Sequence, residues 1–255
     1  MDLYYLIVFF IFGTIFGSFY NVVGTRLPNN KSIVKPPSHC DKCKKNLKFY
    51  ELIPVISYLI QRGKCRNCKT KLSPKYLIYE IFTGLCFMAC YLSFGFNLKL
   101  LLALTFVSGL IIVIISDIDY YIILDEVLIV TGILILIQML FIYNYQTVLL
   151  HLLSGVCAFL AMYSVKIFGD LVFKKESMGG GDIKLLFLIG FVIGFKMAVV
   201  TIFLGSIIAF PVSLCILKFK KSNIIAFGPY LSLAAMIIFL FQLDFNKLIE
   251  ILSFV

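Results

Sequence analysis

Four cysteines and a few aspartates carry most of the chemistry this sequence offers. Cys40 and Cys43 form one C-x2-C pair and Cys65 and Cys68 a second, with 21 residues between them. Each pair turns tightly enough to aim both sulfurs at one point, so together they supply four thiolates to one tetrahedral Zn2+, read here as a structural site. His39 abuts the first pair and is either a substitute ligand or a solvated histidine. The acids fall in two short stretches: Asp117 and Asp119 after one apolar run, and Asp182 after Gly179, Gly180 and Gly181, just before another. Paired carboxylates at the edge of an apolar phase suit general acid–base hydrolysis, because an ionisable group in such a place is costly to keep. The alternatives stay open on spacing alone. Asp182 is also what a helix N-cap looks like, and Asp117, Asp119 and Asp125 what a hydrated turn looks like.

Other machinery is excluded. With only His39 and His151, no H-E-x-x-H zinc protease site exists, and a Ser-His pair would need His151, placed in the first turn of an apolar span. No G-x-x-x-x-G-K-[ST] phosphate loop occurs, which leaves ATP-driven transport unsupported. Cys86, Cys90, Cys157 and Cys215 lie in apolar stretches, where a thiol behaves as a small hydrophobe.

The elements that position these residues follow from composition. Of 255 residues, 61% are hydrophobic and 14% charged; mean hydropathy is +1.02. A water-soluble domain of this size cannot hide that much apolar surface, so the expected fold is an all-α polytopic membrane protein. Apolar stretches at 3–23, 77–96, 98–116, 123–143, 146–168, 184–195, 197–217 and 229–243 give about eight transmembrane helices, of which the stretch at 185–195 is too short to cross alone. The net charge of +10 is not a nucleic-acid binder's. Residues 26–75 carry 13 Lys and Arg against Asp41 and Glu51, so the charge resides in one polar block, and no nucleic-acid partner is expected. The positive-inside rule puts that block in the cytoplasm and the N-terminus outside; residues 1–25 lack the basic start of a cleavable signal peptide. Threading the spans brings 117–125, 169–183 and 218–228 to the same side, in agreement with Lys166, Lys174, Lys175, Lys218, Lys220 and Lys221. Both acidic turns then face one compartment. The expected division is a first transmembrane helix (1–25), a cytoplasmic four-cysteine zinc-binding domain (26–75) and a transmembrane domain that holds both acidic turns (76–255).

Four motifs in order carry a resemblance: residues 17–28 (GSFYNVVGTRLP), the cysteine pairs flanking residues 50–57 (YELIPVIS), residues 79–84 (YEIFTG) and residues 178–184 (MGGGDIK). The chain resembles the type IV prepilin peptidases, members of the intramembrane G-x-G-D aspartic protease group, from the first span through Phe227, Gly228 and Pro229. The resemblance implies Asp117 and Asp182 as the catalytic pair, supported by Gly179, Gly180, Gly181, Asp119, Asp125 and Lys184, with Leu124 standing where many members have proline. The three glycines are expected to let the backbone approach an extended substrate and to permit positive φ, and Lys184 either biases the pair electrostatically or snorkels to the interface.

The implied substrates are type IV prepilins, competence pilins and type II secretion pseudopilins, embedded in the lipid of the bacterial cytoplasmic (inner) membrane and cut at its cytoplasmic face. Many such proteins also methylate the new N-terminal amine with S-adenosylmethionine. Asn21 and Glu80 are candidates to line that donor site, or to form an interhelical hydrogen bond instead. Two alternatives remain: a peptidase alone, its cysteine loop a structural or substrate-docking module, and a non-enzymatic scaffold or transporter. The oligomeric state is not legible.

Overall fold

A computed structural model describes residues 2–40, 42–174, 178–220, 226–245 and 250; Asp41, Lys175 and Lys221, on which the charge argument drew, lie outside them. The described residues form helices and no strands; the only β pairings among them are isolated bridges, His39 with Asn46 and Lys64 with Lys71. The long helices are α1 (Asp2–Arg26), α3 (Lys75–Phe94), α4 (Leu98–Tyr120), α5 (Asp125–Ile142), α6 (Tyr145–Phe173), α7 (Gly180–Ile193), α8 (Phe195–Lys220) and α9 (Gly228–Leu240), with two 3-10 turns (Leu27–Asn29 and Phe49–Glu51) and one short α-helix, α2 (Ile56–Ile60), between α1 and α3. All eight apolar stretches are therefore helical. Among the described residues six helices, all but α7 and α9 of the long ones, are long and apolar enough to cross a membrane. At 14 and 13 residues, α7 and α9 extend only about 21 and 20 Å, short of a hydrocarbon core about 30 Å thick.

The chain divides into two compact units, Met1–Gly95 and Phe96–Val255. In the first, α3 lies along α1. Small residues explain the pairing. A Cβ on Gly13 would stand 2.8 Å from the Gly84 Cα, and one on Gly17 would stand 2.9 Å from Thr83 Oγ1 and 3.0 Å from the Glu80 Cα. Without hydrophobic drive between apolar helices, such close backbone approach is what dispersion forces require. Phe9 stacks on Tyr91 at 5.0 Å and Phe16 lies 5.8 Å from Phe87 on the same seam. Gly13→Val drives two methyls into backbone that cannot yield. It is expected to cost about 1–3 kcal/mol, read as a lower unfolding temperature of detergent-solubilised protein; an unchanged temperature refutes this account of the seam.

In the second unit α4 is the most enclosed of the membrane-length helices: Phe106, Val107, Leu110 and Ile115 are fully buried. Gly109 admits Thr131 of α5, whose Oγ1 would stand 2.6 Å from an added Cβ. The α6–α7 contact is as close, with Gly155 against the Phe187 carbonyl and Gly190 against Ala158. His151 lies 3.0 Å through Nδ1 from the Phe191 carbonyl and stacks on Tyr143, which makes it a packing histidine. Cys86 and Cys90 are buried, while Cys157 and Cys215 sit on exposed helix faces.

Candidate active site

Asp117 is inside α4 and not beyond it, because the helix runs one more turn and stops where Tyr121 enters the left-handed region at φ 58° and its N–H bonds the Asp117 carbonyl at 3.0 Å. Its side chain is 5% exposed. Asp182 is likewise inside its helix. The N-cap of α7 is Gly179, at φ −67° and ψ 141°, so Asp182 occupies the first turn and does not cap it. Asp182 is 9% exposed as a residue and its Oδ1 has no hydrogen-bond partner among the described residues. Ile123 packs both against Gly181, the neighbour of Asp182, and against Gly228, which abuts Asp117, so the two acids flank one site. Asp119, two residues along α4, is turned about 200° away and is only half-buried.

Two residues outside the expected set complete this environment. The backbone N–H of Gly228, which opens α9, donates to the Asp117 carboxylate, and a Cβ there would stand 2.6 Å from Asp117 Oδ2 and 2.9 Å from Ile123 Cδ1. Ile123 also fills the space beside Gly181, 2.8 Å from where its Cβ would be. None of the three glycines uses positive φ; among the described residues the positive-φ glycines are Gly63, Gly95 and Gly194. That expectation is corrected: Gly181 is small because Ile123 is close, and Gly180, with nothing within 4 Å of its Cβ, faces open space. The signal for Gly228 was present in the sequence as a Gly-Pro pair at a helix start, which proline at the first helical position also marks.

Lys184 points away from Asp182. Its Nζ meets Asp125 Oδ2 at 2.6 Å, both side chains half-exposed, tying the start of α5 to that of α7. An ion pair so exposed contributes about 0–1 kcal/mol, so its role is to fix the two helix starts. Leu124, the N-cap of α5, has φ −77°, a conformation that proline also holds, so the turn keeps its shape without the ring. On the Lys184 face of α7 an apolar groove of about 610 Å³ opens between α5, α6 and α7, lined by Leu128, Gly132, Val156, Phe187 and Phe191.

In the first unit the four cysteine sulfurs lie within 4.8 Å of one another and could hold a metal ion. The Cys40 and Cys68 sulfurs are 3.8 Å apart, matching the edge of a tetrahedron of about 3.8 Å that a Zn–S bond of about 2.3 Å dictates. The two loops are built alike. Lys44 and Lys69 return their N–H groups to the carbonyls of Cys40 and Cys65 at 2.8 and 2.9 Å, each through a left-handed residue at φ 55° and 56°. Hydrogen bonds from Thr70, its hydroxyl first and its backbone second, hold the Cys68 thiol down at about 6, a thiolate ready for a cation. His39 is turned to the Pro37 carbonyl at 3.0 Å. Glu80 accepts the Val55 N–H at 2.7 Å and a hydrogen bond from Ser18 of α1, and Asn21 is buried.

The family model of the bacterial peptidase A24 N-terminal domain matches residues 11–94, and that of the type IV leader peptidase family matches residues 104–214. A prepilin leader peptidase/N-methyltransferase of Bacillus subtilis (strain 168) is 37% identical over 203 residues, covering 80% of this chain and 79% of its own. Proteins of the same name from Vibrio cholerae serotype O1 and Neisseria gonorrhoeae are 36% and 30% identical, covering 82% and 90% of this chain and 86% and 88% of theirs. No solved structure matches. The cysteine cluster falls in the first matched stretch and both buried aspartates in the second, and with relatives this similar over most of their length the chain belongs to the type IV leader peptidase family.

Proposed function

We propose that this multi-pass membrane protein is an aspartic endopeptidase that removes the leader of type IV prepilins and pseudopilins, with Asp117 and Asp182 as its catalytic pair. The observation that carries the reading is a buried carboxyl, Asp182, whose Oδ1 is unpartnered among the described residues, with a second buried carboxyl, Asp117, on the other side of Ile123, which packs against Gly181 and Gly228. Two such acids cannot both stay ionised, so they hold one proton between them and titrate as a unit. The ionised member takes a proton from water as its oxygen attacks the scissile carbonyl, and the protonated member donates to the developing oxyanion. The C–N bond then breaks, and the leaving amine takes its proton from the carboxyl that had accepted one. Gly228 N–H orients Asp117 throughout, and the open side of Gly180 leaves room for substrate backbone.

The same reading puts the pair and the cysteine module at the cytoplasmic face, with the N-terminus outside. It assigns residues 26–75 to a structural Zn2+ module and has the new N-terminal amine methylated from S-adenosylmethionine, as the relatives' name supports. Asn21 and Glu80 remain candidates for that donor site, with Glu80 restricted by its bonds to Val55 and Ser18. The test is purified protein in lipid with a prepilin and donor carrying a labelled methyl group. A shortened pilin with label on its first residue is expected; an uncut substrate discards the peptidase, and a cut but unlabelled one discards the methyl transfer. Gly228→Ala in this assay is expected to lower cleavage roughly 10²-fold, because the new methyl displaces Asp117 by about 1 Å while insertion is unaffected.

A further inference from the structure

Between α1 and α3 the chain exposes a run of large apolar side chains: Phe49, Leu52, Ile53, Ile56, Leu59 and Ile60 are 85, 42, 37, 55, 61 and 77% accessible. Patches of this kind on a polar module mark an interaction surface. On α2 the sidedness is built in. Ile56, Leu59 and Ile60 share one face, while Tyr58 turns the other way, its hydroxyl donating to the Leu72 carbonyl at 3.4 Å and closing over Gly63, where a Cβ would stand 2.9 Å from it.

The segment is also aimed. Val55 sits at φ 61° and ψ −56°, with the Ile56 N–H bonded to the Pro54 carbonyl at 2.6 Å. This is a γ-turn in a region a β-branched residue rarely enters. Strain persists only where the surroundings over-determine it. Here the clamp is Glu80 of α3, which accepts the Val55 N–H, so the segment's orientation is tied to a helix of membrane-crossing length.

Two facts decide what this surface meets. The module runs directly from one membrane-length helix, ending at Arg26, into another, starting at Lys75, so it cannot leave the bilayer surface. It is also strongly basic, and cations edge the patch: Lys48 and Arg66 lie 5.9 and 5.2 Å from the Tyr50 ring. Apolar side chains bordered by cations are the composition of an element that lies in the lipid interface and is drawn to anionic headgroups. We propose that residues 49–60 form such an element, its apolar face sunk at the headgroup–acyl boundary of an anionic leaflet, holding the cysteine module against the membrane. This does not depend on the peptidase reading.

The chain contains no tryptophan, so Phe49→Trp and Ile60→Trp each place a single reporter in the full-length protein, reconstituted in phosphatidylcholine or phosphatidylglycerol nanodiscs. Both reporters are expected to emit at the blue end and to lose most of their intensity to lipids brominated high on the acyl chain. They should lose less to lipids brominated near the chain end, and more in phosphatidylglycerol than in phosphatidylcholine. Lys42→Trp, on the first cysteine loop, is expected to be several-fold less quenched. Metal content equal to the parent's shows each variant folded. Water-like, unquenched emission overturns the proposal. So does blue but unquenched emission, which would mean that protein, a second copy or another part of this chain, covers the patch; equal quenching at all three positions overturns it too.

Discussion

Replacing Asp182 or Asp117 by asparagine is expected to remove leader cleavage almost entirely, by at least about 10²–10⁴-fold, the usual worth of a positioned acid–base group. Asparagine keeps the shape and the hydrogen-bonding reach but cannot hold or transfer a proton at these sites. On the proposed pairing, in which the two acids act as one unit, the double substitution should be no worse than either single one. The parent's pH–rate profile should be bell-shaped, since one carboxyl must be ionised and the other protonated. Stability should move the opposite way from activity. Both carboxyls are buried, and Asp182 Oδ1 lacks a partner among the described residues, so a neutral isostere relieves desolvation and the variants should unfold no earlier than the parent. The measurement is cleavage of a prepilin by matched amounts of inserted protein, alongside thermal unfolding in detergent. A singly substituted protein that still cuts at the parent's rate rejects the pair.

The second large effect is metal loss. The cysteine module has isolated β-bridges, two 3-10 turns, one short α-helix and few buried apolar side chains, so on the proposed zinc reading its folding energy comes from the ion. Structural Zn2+ in small finger peptides is held by about 10–16 kcal/mol at neutral pH, far more than such a core supplies. Parent protein is expected to carry one zinc per chain by elemental analysis. Cys40→Ser or Cys65→Ser, which remove the two buried ligands, should carry none. The consequence is readable with trypsin, because residues 26–75 offer 13 Lys and Arg: the module should resist cleavage with metal and be cut rapidly after chelation, while the helices of the second unit stay intact. A zinc-free module that remains resistant would show that the cysteines serve something other than the fold.

Much of this was legible in one dimension. Long apolar runs report helices because a backbone in lipid must satisfy its own hydrogen bonds, so the eight stretches appear at their expected places. Paired cysteine loops are local devices, each closed within a few residues, and their spacing is enough to identify them. Helix ends were less visible: α4 runs through Asp117 to Tyr120 and α7 begins at Gly180, before Asp182. Termini depend on where the next chain segment lets the backbone turn, and polar residues do not mark that turn.

Residue types and spacing alone determined that the chain is apolar enough to live in a membrane, that four thiolates form one set, and that any hydrolysis must use acids. Only the tertiary structure decided that Lys184 answers Asp125, that Gly181 makes room for Ile123, that Gly228 lies against Asp117, and that Glu80 clamps a turn 25 residues upstream. The reason is physical. Composition and local spacing record what a segment must do with water and lipid, whereas these contacts join positions distant in the chain, and their distances are set by how closely helices with small residues approach.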